Sequence, residues 1–364
     1  MTQEAVLKDL LGEDFFHVTQ PNIKFLGNRD KSAIRDTYEI LRKLGFKNNT
    51  IAHRTSILRL KKETIIQNYN NLKDLGIPVR SILLRLNLLA SSPHTIQTNY
   101  NELILLHISP EKIIKNPHLL TNSPDKIKKT YQFLIGCGVG SRYINTHAFL
   151  LGMSLKTLQK NYTNLLKFGI SPSKIASNSN IIGKNQKFIQ EKNTFLTGLG
   201  IPSQKVKKNP YLFHLGTDTI QEHYDILISM GFTPKKICAY PNLLARAPES
   251  LRSNYENLCD LGILPKHIKR YIQLLASDPH SIKEKYDFLK NLGVRPEKIS
   301  FFANLLLLNQ ETIQTNYNTL ISLEISPQKV SQYAGLLMRD PQTIRRNHQF
   351  LVNLSLSPKV YFLP

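Results

Sequence analysis

The chain is poor in cysteine, in acid and in uninterrupted apolar sequence, and each shortage excludes a class of protein. Cys137, Cys238 and Cys259 are the only cysteines among 364 residues. They are odd in number and have no Cys-x-x-Cys pairing, so neither a disulfide framework nor a zinc site is expected, and a reducing compartment fits best. Lys, Asn or Pro interrupts the most apolar stretches before they approach the roughly 18 consecutive apolar residues of a membrane-spanning helix. Acids number 26 against 48 Lys and Arg, a net charge of +22, which makes a polyanion the first expected partner. There is no Gly-rich phosphate loop, no His-Glu-x-x-His, no nucleophile elbow and no cluster of carboxylates. The eleven histidines, His53, His147, His214 and His267 among them, never recur at metal-ligand spacing. The chain therefore reads as no enzyme, with no catalytic residue, metal, cofactor or small-molecule substrate expected. Residues 1–14 hold four acids and one base, unlike a transit or signal peptide. The expected setting is a prokaryotic cytoplasm or nucleoid, or an organelle matrix after loss of a presequence.

Apolar residues at 41%, sixteen Phe and fifteen Tyr supply enough surface for a packed core rather than disorder. Length alone would allow two or three globular domains, but internal self-similarity overrides that estimate. Tyr38, Tyr69, Tyr100, Tyr131, Tyr162, Tyr224, Tyr255, Tyr286 and Tyr317 share one 31-residue register, with Asn193 and His348 in the two remaining slots. Three residues after each register position stands a Leu, from Leu41 to Leu351, without exception. Seven residues after it comes Gly in eight of the eleven repeats, with His107, Glu324 and Ser355 as the departures. A Gly there reads as the residue just past a helix C-terminus.

One copy shows the unit. In Asp278-Pro279-His-Ser-Ile282-Lys-Glu-Lys-Tyr286-Asp-Phe-Leu289-Lys-Asn-Leu292-Gly293 the apolar residues lie at i, i+4, i+7 and i+10, which predicts an amphipathic helix capped by Asp278 and opened by Pro279. The other half, Ser109-Pro110 through Pro117-His-Leu119-Leu120, predicts a shorter helix bent at its interior Pro. Helices of about 14 and 11 residues with two turns fill the period and leave no room for a strand. The expected fold is all-α, a right- or left-handed superhelical α-solenoid of about eleven 31-residue helix pairs. Residues 1–31 would form an N-terminal cap, 32–355 one continuous solenoid and 356–364 a C-terminal cap remnant. The Tyr and Leu positions are read as core.

Function then falls to outward slots that keep a chemical bias. Twelve residues after the register position stand Lys112, Lys174, Lys205, Lys236, Lys298 and Lys329, and the slot before adds Arg80, Arg142, Lys235, Lys266 and Lys359. These bases sit in the first turn of a helix, where the macrodipole disfavours cations, so an external anion is the better explanation. On the long helix, the slot three before the register position holds Arg35, Lys128, Arg252, Lys283 and Arg345, with Gln in most other repeats and never an acid. Both rows are read as phosphate-binding. A third slot, eighteen after the register position, varies among Asn87, His118, Asn180, Tyr211, Asn242, Gln273 and Asn304, side chains that read base edges or stack on bases. A solvated helix face and ordinary surface drift are the plainer alternatives for these rows.

Leu75-Gly76-Ile77, Leu199-Gly200-Ile201, Leu261-Gly262-Ile263 and Leu292-Gly293-Val294, with Pro117-His-Leu119-Leu120, Pro210-Tyr-Leu212-Phe213 and Pro241-Asn-Leu243-Leu244, give the chain a further signature. Over about residues 32–360 it resembles the mitochondrial transcription termination factor (mTERF) family. The resemblance implies a curved solenoid of helix pairs, each with an added 3₁₀ turn, whose basic concave surface follows a nucleic-acid backbone, most often double-stranded DNA, in organellar transcription or translation control. The strict period departs from the family's more irregular repeats. A double-stranded-DNA binder acting as a monomer in transcription regulation or termination, with modular sequence readout, is the leading expectation. An RNA-binding solenoid, with Tyr211, Tyr240, Tyr271 and Tyr333 stacking on bases, and a protein-interaction solenoid are the alternatives.

Overall fold

A computed structural model describes residues 2–353. The expected C-terminal cap at 356–364, with Ser355 and Lys359, lies outside them. Among the described residues there is no strand, and α-helices alternate with 3₁₀ helices throughout. The chain divides into two compact units, Met1–Gln186 and Lys187–Pro364.

Each unit is a stack of one motif. Long helices run over Lys31–Lys43, Lys62–Asp74, Pro93–Leu105, Pro124–Gly136 and Leu155–Phe168 in the first unit. In the second they run over Thr217–Ser229, Pro248–Asp260, Pro279–Asn291, Gln310–Ser322 and Pro341–Asn353, and Gln186–Gly198 starts at the boundary. The predicted cap is present, since Asp278 accepts from the Ser281 N–H at 2.8 Å with Pro279 in the first helical turn. At the other end the invariant Leu and the Gly belong to one device. The N–H five residues beyond the Leu bonds back to its carbonyl, as in Ile77 to Leu72 and Ile263 to Leu258, both at 3.0 Å. Gly76 and Gly262 turn the chain with φ of 78° and 79°. This is a Schellman closure, and the residue after the Gly (Ile77, Val139, Ile263) is buried like the Leu. His107 and Glu324, two of the three departures from Gly, adopt the same left-handed conformation at φ of 61° and 60°.

The shorter half differs from the predicted bent helix. It is a helix of five or six residues, as in Pro110–Lys115, followed by a separate five-residue 3₁₀ turn, as in Pro117–Thr121. The break does not depend on proline. Arg54, Arg85, Asn116, His147, Asn178 and Tyr240 all hold the break near φ −130° and ψ +50°, whether Pro117, Pro241, Thr55, Leu86, Ala148 or Ser179 follows. Core geometry sets it instead. Ile113, Pro117, Leu119 and Leu120 must all face inward, and a straight helix would carry one of the last three away from the core, whereas the tighter 3₁₀ turn brings all three back.

In each unit neighbouring long helices pack together, as do neighbouring 3₁₀ turns. The Leu row lies at the centre, Leu41 to Leu320 being buried. The Tyr row does not share it. Only Tyr286 is buried and the others are half-buried, because a position three residues before the Leu sits to the side of the core arc, at the seam with the next repeat. Phe133 meets Tyr162 edge-on there at 6.1 Å.

The inward position is one residue before the Tyr, and it is polar. Thr37, Asn68, Asn99, Asn161, Lys192, His223 and Asn316 are buried there, and each donates to a carbonyl at the end of its own repeat's 3₁₀ turn. Asn99 Nδ2 reaches the carbonyls of Leu120 at 2.6 Å and Asn122 at 2.8 Å. His223 Nδ1 reaches Leu244 O at 2.8 Å, and Lys192 Nζ reaches Leu215 O. A short 3₁₀ turn leaves its last carbonyls unpaired, and these donors satisfy them inside the core. Burial holds the Lys192 ammonium below the usual lysine range, against the opposing pull of the Asp218 carboxylate.

Candidate nucleic-acid interface

Acids are nearly confined to the long helices and the segments around them. Among the described residues, the ten short helices and the ten 3₁₀ turns that follow them contain only two acids, Glu111 and Glu297. The same segments carry Arg59, Arg80, Lys112, Lys115, Arg142, Lys174, Lys205, Lys236, Lys269 and Arg270 among their bases, and Arg54 and Arg85 stand at the breaks. The long helices are mixed. Thr217–Ser229 holds Asp218, Glu222 and Asp225 with no Lys or Arg. In the second unit the excess of positive charge is therefore concentrated in the short helices and 3₁₀ turns, whereas in the first unit the long helices carry a comparable excess.

The first predicted phosphate row lies in the layer of short helices and 3₁₀ turns. Lys174 and Lys205 are exposed, and Lys112, Lys236, Lys298 and Lys329 are half-buried. Lys112 is near enough to His147 to disfavour its protonation, although burial is the larger cause that lowers the His147 pKa. Lys236 Nζ donates to Arg270 O at 2.9 Å, so one member of the row also supports a carbonyl at the C-terminus of the next short helix, where a cation is favourable.

The second predicted row lies in the long-helix layer, at the seam between adjacent helices. Arg35 pairs with Asp9 at 2.8 Å and Lys128 with Glu102 at 2.9 Å. The two pairs span the same repeat geometry, and the base is neutralised where the preceding helix offers an acid. Arg252, Lys283 and Arg345 are exposed. The structure thus places the two cation rows in different layers.

The third slot lies on the 3₁₀ turns, and all seven predicted residues in it are half-buried, on turns that pack against neighbouring turns within each unit. Asn87 Nδ2 donates to Thr121 Oγ1 at 3.4 Å, and Asn304 Nδ2 meets Met338 Sδ at 2.7 Å. His118 packs against Gly152, where a Cβ would come within 2.5 Å of its Nε2. Its pKa is lowered by burial first and then by Arg85 and Lys126. Tyr211 donates to Asn209 Oδ1 at 3.0 Å, and burial pushes its pKa up to about 12, against the opposing pull of Arg246. Asn180, Asn242 and Gln273 lie at the same place on their own turns. Packing between turns therefore constrains this slot, and only part of each side chain faces outward.

Sequence reading named Tyr240, Tyr271 and Tyr333 as stacking residues but did not see that they share one position, the break two residues before this slot. It holds Arg54 and Arg85, then Asn116, His147, Asn178 and Asn209, then Tyr240, Tyr271, Phe302 and Tyr333. The trend was visible in the 31-residue register, but the position looked like helix interior until the helix was seen to end there. A second recurrent contact joins adjacent repeats. The backbone N–H ahead of a short helix donates to a side chain on the next one, as Ser109 N does to Asn145 Oδ1 and Leu264 N to Ser300 Oγ, both at 2.9 Å. His267 faces Ser300 Oγ at 3.0 Å. Its pKa is lowered by burial and then by Lys266 and Arg270. Among the described residues no three His, Cys, Asp or Glu side chains gather as a metal site, and no helix is long and apolar enough to cross a membrane.

No curated protein matches the chain. The mTERF family model matches residues 13–178, and the 31-residue motif found in that segment continues in register to the last described helix, Pro341–Asn353. Residues 13–178 are therefore similar to the mTERF family, and the chain is an all-α protein built of repeats of that kind.

Proposed function

We propose that this protein binds double-stranded DNA through the layer of short helices and 3₁₀ turns and acts, as a monomer, in transcription regulation or termination. Nucleic-acid binding by a repeat protein is the coarse reading that similarity of residues 13–178 to the mTERF family supports. The observation that carries the finer reading is the near absence of acid beside repeated bases, with two acids among ten short helices and ten 3₁₀ turns and the bases spaced by a constant repeat. Lys112, Lys174, Lys205, Lys236, Lys298 and Lys329 take the principal phosphate contacts, while Arg252, Lys283 and Arg345 contribute from the long-helix layer. The outward parts of Asn87, His118, Asn180, Tyr211, Asn242, Gln273 and Asn304 are the side chains assigned to bases, one per repeat.

Binding measured as a function of salt tests this. About 6 to 10 phosphate contacts weaken binding by roughly 10³ to 10⁵ between 50 and 200 mM salt. Combined Lys112→Ala, Lys174→Ala and Lys205→Ala substitutions should lower the log–log salt slope by about one for each phosphate no longer neutralised, with helicity by circular dichroism unchanged. A slope that is flat in the parent protein rules the reading out. Competition between duplex DNA and RNA of equal length decides between those two ligands, and selection from random duplexes reveals whether one position is read per repeat.

A further inference from the structure

We propose that the outer face of the long helix Leu155–Phe168, in the first unit, docks on the outer faces of the long helices Thr217–Ser229 and Pro248–Asp260 in the second unit of another copy of this chain. The inference goes beyond the function proposed above, which concerns the layer of short helices and 3₁₀ turns. One chain remains the nucleic-acid-binding unit, and the contact joins chains through the other layer.

Positions six and two before the register position, and one and five after it, fall within a narrow arc of a helix and form its outward stripe. On Leu155–Phe168 that stripe is Lys156, Lys160, Thr163 and Lys167, all exposed, and the helix holds no acid. On the two helices of the second unit the same stripe carries Asp218, Glu222, Asp225, Glu249, Glu256 and Asp260, all exposed, and Arg252 is the single base of the pair. A stripe of one sign and a stripe of the other therefore occupy the same place on their helices.

Neither stripe is neutralised within the chain. On the long helix before Leu155–Phe168, Lys128 pairs with Glu102 and Lys129 with Asp125, which leaves no acid there for Lys156, Lys160 or Lys167. Among the described residues none of the six acids forms a salt bridge, although Gln221 donates to Asp225 at 3.0 Å. Helix stability does not account for the pattern either, since Lys156 in a first turn and Asp260 in a last turn lie where the macrodipole disfavours their charge.

A second observation is apolar. Four residues after the register position stand Ile104, Ile135 and Leu166, 38%, 44% and 38% exposed, on three helices that pack side by side. Ile228, 38% exposed, holds the slot beside the acids. Packing does not demand apolar side chains there, because Arg42, Lys73, Thr197 and Lys290 fill the slot in other repeats. Exposed apolar residues flanked by uncompensated charge of one sign are what a docking face presents, and the opposite sign on the matching face selects a second copy as occupant. Each chain carries both faces, so the association is heterologous, the lysine face of one copy meeting the acidic face of the next.

The test is sedimentation of the full chain, freed of nucleic acid by nuclease treatment. At roughly 50 mM salt the weight-average mass should rise from 41.7 kDa toward at least twice that value as concentration is raised from about 1 to about 100 µM. At about 500 mM salt it should return to the mass of one chain. Combined Lys156→Glu, Lys160→Glu and Lys167→Glu substitutions should abolish the rise, and so should Asp218→Lys, Glu222→Lys and Asp225→Lys together. Mixing the two variants should restore a one-to-one complex, because the mixture still offers one native pair of faces. Alanine at the same three lysines should weaken association to a lesser degree, and it carries the test if charge reversal disturbs folding. A mass that stays at one chain throughout the low-salt series overturns the inference, as does association that survives the lysine substitutions or variants that stay apart when mixed. The measurement uses no nucleic acid, so its outcome is separate from that of the binding experiment above.

Discussion

In most repeats the polar side chain one residue before the register position links the two halves of the motif. Asn99 donates to the carbonyls of both Leu120 and Asn122, and neither carbonyl lies at a surface where water could replace the amide fully. Asn99→Ala therefore leaves two acceptors short of a donor and opens a small cavity. Unfolding in urea should show a loss of about 1–3 kcal/mol. Thr130 gives the opposite case in the same slot, because its hydroxyl is buried with no partner. Thr130→Val replaces an unpaired polar group by a methyl of similar volume and should raise stability by about 1 kcal/mol. If the two substitutions shifted the midpoint equally, hydrogen bonding would not be what the slot supplies. The donor character of this slot was open to inspection in the sequence, since Thr, Asn, Lys and His share it and acids do not. It went unread because a polar residue beside a Tyr on an amphipathic helix is ordinarily assigned to solvent.

At the scale of the element, the long helix was legible because its signals are local and redundant. Ile282, Tyr286 and Leu289 set the period, Asp278 and Pro279 set the start, and Gly293 set the end. The shorter half was less legible because its geometry answers to the core rather than to its own residues. Pro117 suggested a kink, yet Leu86 and Ala148 follow the same break without a proline. The C-terminal turn of the long helix yields a direct prediction. His107 and Glu324 hold a left-handed conformation that Gly holds in eight other repeats. That conformation costs a side-chain-bearing residue about 1–2 kcal/mol, and Gly offsets part of the gain by about 0.5–1 kcal/mol of backbone entropy. His107→Gly and Glu324→Gly should each stabilise the protein by a few tenths to about 1 kcal/mol in thermal unfolding. Gly76→Ala should act in the reverse sense, and its Cβ would also press Ile114 Cδ1 at 3.3 Å.

At the scale of the whole molecule, the sequence placed its bases in rows but could not say which rows shared a layer. Lys128 and Lys174 look equivalent as repeated cations, and only the packed helices show the first paired with Glu102 while the second is exposed among short helices that almost lack acids. The same excess of +22 that suits a polyanion also repels itself in the free protein. Salt must therefore act with opposite sign on folding and on binding. Screening relieves self-repulsion between exposed cations more than about 10 Å apart at 0.1 M and closer ones as salt rises further, so the melting temperature of the protein alone should rise as sodium chloride is increased from roughly 50 to 500 mM. A duplex oligonucleotide at about 100 times its dissociation constant should add roughly 2.7 kcal/mol at low salt, and that increment should shrink as counterion release becomes less favourable. The two melting curves, with and without duplex, should separate at low salt and converge at high salt from opposite directions. A protein whose +22 was dispersed evenly in local ion pairs would instead lose stability on adding salt and show no such convergence. Differential scanning fluorimetry across a salt series, with and without the oligonucleotide, distinguishes the two outcomes.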